Sequence, residues 1–135
     1  MDNTKFQKLL KEYKETITEG VSSKDIDAYL KSALWSSPGD NSENLDDDHD
    51  IGDVDKSVIN QAKKDLNKFY KLAKDLIENG DYDGDWRHDF WLTRNGHGAG
   101  FWDDSGEDGD KLTKIVEKNF KGIDLYVGDD GKIYS

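Results

Sequence analysis

The sequence predicts an α+β protein: N-terminal helices packed beside a small antiparallel sheet of two hairpins, with a covering helix, so that the C-terminal half reads ββαββ. Three observations carry this expectation. Apolar residues recur at three-to-four spacing over 4–19, 24–35 and 56–79, the period of an amphipathic helix. Two turn signals, Asn95-Gly96 and Gly128-Asp129-Asp130-Gly131, stand between runs of β-forming residues. The length, 135 residues, suits a single domain, divided into a helical part over 1–80 and a hairpin–helix–hairpin part over 81–135.

Taken in order, Phe6, Leu9, Leu10, Tyr13 and Ile17 form the stripe of the first helix, with Thr4 as its cap and Gly20 as its stop. Ser22 or Ser23 caps the second, over 24–35, whose stripe is Ile26, Tyr29, Leu30, Ala33 and Leu34. Pro38-Gly39 then forces a turn. Residues 37–55 make an acidic connection that Leu45, Ile51 and Val54 pin to the body. The third helix, 56–79, opens near Asp53 or Asp55, where negative charge meets the positive helix end, and closes at Asn79-Gly80. His88 to Arg94 reads as a strand, turned at Asn95-Gly96 and returning through Gly98 to Trp102. Asp108 or Asp110 caps a helix over 111–120, and Ile123–Val127 pairs with Lys132–Tyr134. Tyr29, Leu30, Leu34, Leu66, Phe69, Phe90, Leu92, Ile115, Phe120 and Leu125 are the expected core.

Composition limits what such a fold can do. Hydrophobic residues make up 33% and charged residues 36%, against roughly 45–50% and about 25% in ordinary domains. The core is therefore small, and the four tryptophans are expected to fill much of it. One or two of them are candidates for exposed interface anchors beside the acidic rim. The net charge of −11 excludes a general nucleic-acid binder, which needs a clustered basic surface, and disfavours an anionic membrane. The absence of cysteine removes disulfides and thiol chemistry. With no apolar run of membrane length and no signal-peptide layout at the N-terminus, a cytoplasmic location is expected.

The charge is concentrated. Residues 37–55 hold eight acids and no base, and residues 81–110 hold nine acids and two bases. Residues 1–36 balance, and residues 56–80 are net positive. Across the two acidic blocks there are 15 Asp and two Glu. A short, stiff carboxylate held near the backbone can stand where a nucleic-acid phosphate would stand.

The run from His88 to Asp103, HDFWLTRNGHGAGFWD, together with Gly109-Asp110-Lys111-Leu112-Thr113 and the closing LYVGDDGKIY from Leu125 to Tyr134, resembles a signature of small proteins encoded by bacteriophages and mobile elements. The stretch from Tyr29 to Ser36 and the acidic Leu45 to Asp48 are similar as well, so the resemblance spans roughly residues 29–134. Asp104 departs from it, standing where a basic residue is expected. The resemblance implies a phage or prophage context and supplies no catalytic residues.

Candidate chemistry follows from the same residues. Asp81-x-Asp83-x-Asp85 opens like an EF-hand loop, but Trp86 stands at the glycine position and Leu92 at that of the bidentate Glu. Asp46-x-Asp48-x-Asp50 fails in the same way, with Ile51 and Ser57. Neither reads as a metal site, and no cofactor is expected. An enzymatic or metal-dependent alternative would draw on His88, Asp89, Arg94 and His97, flanking the Asn95-Gly96 turn. Glycines 96, 98 and 100 are a weak anion cradle and read better as places where large neighbours cross the backbone. The expectation adopted is a non-enzymatic phage accessory protein that inhibits a basic, nucleic-acid-handling or defence protein of the host without touching nucleic acid itself. Asp46, Asp47, Asp48, Asp50, Asp103, Asp104 and Asp108 would act as phosphate mimics. A structural or morphogenetic role is the third alternative, and oligomeric state is left open.

Overall fold

A computed structural model describes residues 21–39, 42–96, 100–103 and 106–135. The expected helix 4–19, His97 and Asp104 lie outside the described residues. The described chain is mostly helical with one small antiparallel sheet, consistent with an α+β protein. Four helices occur among these residues: α1 (Ser23–Ser36), α2 (Lys56–Asn79), α3 (Trp86–Arg94) and α4 (Glu107–Asn119). The sheet consists of β1 (Tyr126–Val127) and β2 (Ile133–Tyr134). Short 3₁₀ turns fall at Leu45–Asp47, Ile51–Asp53 and Phe101–Asp103.

Helix α1 starts at Ser22, whose backbone N–H donates to Asp25 over 2.7 Å. Asp55 caps α2, accepting the Ser57 amide at 3.0 Å, and Gly80 ends it. Along α2, Val58, Ala62, Leu66, Phe69 and Ala73 are buried at helical spacing. Phe69 is the centre of an aromatic stack: its ring lies 4.5 Å from Phe90 and 5.5 Å from Phe101. Tyr29 extends the stack onto Phe90 at 5.6 Å and meets Trp91 edge-on at 5.5 Å. A fully buried side chain of this size contributes about 1.5–3 kcal/mol, which is how a chain of poor aliphatic content closes a core. Eight of the ten expected core residues are buried; Ile115 and Phe120 are partly buried and pack against the core.

The second predicted hairpin is present. Tyr126 pairs with Tyr134 and Val127 with Ile133, around a turn in which Gly131 takes φ +80°. The first is not: residues 86–94 form α3, so the hairpin half of the predicted ββαββ order requires correction. Asp85 caps α3 by accepting the Arg87 amide at 3.1 Å, and Trp86, Phe90 and Thr93 fall on one buried face. Asn95-Gly96 ends this helix, with Gly96 at φ +70°. The chain then passes so close to α3 that a Cβ on Gly100 would meet the Thr93 hydroxyl oxygen at 2.2 Å. That hydroxyl accepts the Phe101 amide at 2.9 Å.

The covering helix begins earlier than predicted, at Glu107, and Gly106 rather than Asp108 or Asp110 holds its cap position. The connection from α1 to α2 is anchored as expected. Leu45 and Val54 are buried, and Val54 bridges to Ile133 while the Asp55 amide donates to the Ile133 carbonyl at 2.9 Å.

Candidate binding surface

The segment from Asn44 to Asp55 is built by its aspartates. Asp47 accepts the Asn44 amide at 3.0 Å, Asp50 accepts that of Gly52 at 2.8 Å, and Asp53 accepts that of Asp50 at 3.2 Å. Each bond satisfies a donor that a short turn leaves over, so acidic residues do the local folding here. The result is a fixed, solvent-facing display: Asp46, Asp47, Asp48 and Asp50 are all exposed.

The predicted mimic residues fall into two groups. Asp46, Asp47, Asp48 and Asp50 lie together in the segment that leads into the N-cap of α2. Asp103 and Asp108 belong to chain packed around the second half of α2. Phe101 touches Phe69 and Tyr82, and Asp108 accepts the Asp81 amide at 2.7 Å, just past the end of the helix. The first group adjoins the start of α2 in sequence, whereas the second is tied to its middle, through Phe69, and to its end, through Asp81. Asp108 is thus a clasp between α4 and the end of α2.

The three described residues of the alternative site, His88, Asp89 and Arg94, do not converge, and the fourth, His97, lies outside the described residues. On a helix, rather than a strand, His88, Asp89 and Arg94 point in different directions. His88 pairs through Nδ1 with the Ser32 hydroxyl at 2.8 Å, and its ring lies 5.6 Å from that of Trp35. Asp89 accepts the Tyr82 hydroxyl. Arg94 is buried and donates to Asp65 at 2.8 Å, to the Tyr29 hydroxyl at 3.0 Å and to the Lys121 carbonyl at 2.9 Å. Burial pushes the Tyr29 hydroxyl up to about 12, against the opposing pull of the Arg94 charge. Among the described residues, no three histidine, aspartate or glutamate side chains gather in a way that could hold a metal ion. No helix among them is long and apolar enough to cross a membrane.

One tryptophan is exposed beside the acidic segment, as expected for an interface anchor. An open groove of about 710 Å³ runs between α1 and the acidic turns, lined by Asp27, Lys31, Leu34, Trp35, Asp46, His49, Asp50, Ile51 and Gly52. Trp35 is 52% exposed there, while Trp86 and Trp91 are buried. The signal was in the sequence: Trp35 is left out of the α1 stripe of Ile26, Tyr29, Leu30, Ala33 and Leu34, which places an indole on the polar face.

No family model matches the chain, and neither a curated protein nor a solved structure matches it.

Proposed function

We propose that this protein is a non-enzymatic, phage-type accessory protein whose acidic segment docks on a basic, nucleic-acid-handling protein of the host and blocks it. The observation that supports this reading is the exposed set Asp46, Asp47, Asp48 and Asp50, in a stretch with eight acids and no base, held on a folded turn by Leu45, Val54 and side chain-to-backbone bonds. Carboxylates fixed in place steer a basic partner and lose less entropy on docking than a loose acidic string would. Asp103 belongs to a second group and contributes to the long-range field rather than to the same contact.

Affinity capture from bacterial lysate, eluted along a salt gradient, tests the reading. Retained partners are expected to be basic, to elute early in the gradient, and to be displaced by duplex DNA. The Asp46→Asn/Asp48→Asn double variant is expected to lose them. A partner whose affinity is the same at low and high salt would remove this mechanism.

A further inference from the structure

We propose that the groove beside Trp35 seats an arginine side chain from a basic segment of the partner protein, with the guanidinium stacked on the indole and the acidic rim closing around it. This deepens the reading above and rests on it. A guanidinium is planar, weakly hydrated and attracted to an indole face, and it donates to carboxylates through a fixed fork. The groove offers both halves of that recognition. Trp35 presents an exposed ring steadied by the His88 ring 5.6 Å away, and His88 is itself tied to Ser32. Leu34 and Ile51 supply apolar wall for an aliphatic stem.

Charge favours the same occupant. The lining holds three carboxylates, Asp27, Asp46 and Asp50, against one ammonium, Lys31. Lys31 is engaged with Asp27 at 3.0 Å, which leaves Asp46 and Asp50 facing an incoming cation. Asp50 is held in place at the groove by the Gly52 amide, which donates to its Oδ1 at 2.8 Å. A second copy of this chain is a poor source of the arginine. The sequence has two, of which Arg94 is buried against Asp65 and Arg87 donates to both Asp25 and Asp85.

The test is a titration of the full chain, labelled with nitrogen-15, with capped hexa-arginine and hexa-lysine peptides at low salt, followed through the indole N–H resonances and the amides of residues 45–52. The expected result is a saturable shift at Trp35 and along that segment, with hexa-arginine several-fold tighter than hexa-lysine at equal charge. Trp35→Ala is expected to weaken hexa-arginine about five- to ten-fold, with most of the preference over lysine lost and thermal unfolding unchanged because the ring is exposed. Trp35→Phe should recover part of that loss. If Trp35→Ala leaves hexa-arginine affinity within about two-fold while Asp46→Asn/Asp48→Asn lowers it, charge alone binds the peptide. The groove assignment then falls and the acidic docking surface stands. If neither peptide binds at low salt, both fall.

Discussion

Asp25, Asp47, Asp50, Asp53, Asp55, Asp85, Asp108 and Asp130 each accept a main-chain amide within 3.2 Å. The preference for Asp over Glu therefore has a folding cause as well as an electrostatic one, since a short side chain reaches back to nearby backbone. Two of these carboxyls are held below the ordinary range, Asp55 by the Ser57 hydroxyl and amide, Asp130 by the Tyr134 hydroxyl and the Lys132 amide. Both bind a proton less readily folded than unfolded. Their contribution is complete above the unfolded carboxyl value of about 4 and is lost as the pH falls through the lower folded value. Urea unfolding of Asp55→Asn should show a lower midpoint than the parent at neutral pH, with the gap closing on acidification; a gap independent of pH would mean that the charge of Asp55 contributes nothing. Arg94 carries a larger effect. It ties α1, α2 and the chain after α4 to α3 through Tyr29, Asp65 and Lys121. Asp65→Asn leaves a buried guanidinium without its counter-charge, and a loss of about 3–5 kcal/mol is expected by denaturant unfolding. Asp65→Asn combined with Arg94→Met should recover part of it.

Helix α3 is where local preference and final structure disagree. Phe90, Trp91 and Thr93 are β-formers and Asn95-Gly96 is a strong hairpin turn, so the sequence around them reads as two strands. The structure uses the same residues for nine helical positions, because Asp85 caps the start and Trp86, Phe90 and Thr93 reach one buried face at spacings of four and three. Asn-Gly also ends helices, as it does at Asn79-Gly80, and a nine-residue segment is too short for its period to outweigh its composition. Elsewhere the period was long enough: α2 occupies the predicted 56–79, α1 differs by one residue at each end, and the second hairpin lies at its glycine-rich turn. Of the candidate binding residues, Asp46 to Asp50 were legible as charge, whereas Trp35 was legible as one of four tryptophans of which one or two were expected at the surface, and was singled out among them by being out of phase with its helix. The partners of His88, Asp89 and Arg94 depend on contacts between helices, which spacing alone does not give. The helical reading makes a prediction of its own. Gly100→Ala would place a methyl against the Thr93 hydroxyl and backbone, and should destabilise by about 1–3 kcal/mol through overpacking. Thr93→Ser, which keeps the hydroxyl that accepts the Phe101 amide, should cost less. In a hairpin Gly100 would pair across the turn instead, and backbone chemical shifts over 86–94 separate the two arrangements directly.

At the scale of the whole molecule, a net charge of −11 is distributed unevenly over a long helical strut. The segment 56–80 that forms α2 is net positive, with six bases against three acids, while acidic stretches adjoin it in sequence on both sides. Such an arrangement has two consequences that can be told apart. Like charges repel within each acidic group, so moderate salt should raise the thermal midpoint of the free protein by screening them. The same salt should weaken docking on a basic partner, so stability and affinity move in opposite directions. The division of these acids into two groups adds a second contrast. A contact made at the Asn44–Asp55 segment engages Asp46 directly, whereas Asp103, which belongs to the other group, acts on it only through a field that salt screens over about 8 Å at physiological ionic strength. Asp46→Asn should therefore weaken binding of a basic peptide at physiological salt, and Asp103→Asn should change it by less than about two-fold. At low ionic strength the Asp103 effect should grow, chiefly in the association rate, because the field then reaches across the molecule. Equal losses from the two substitutions at physiological salt would mean that the partner grips both acidic groups at once.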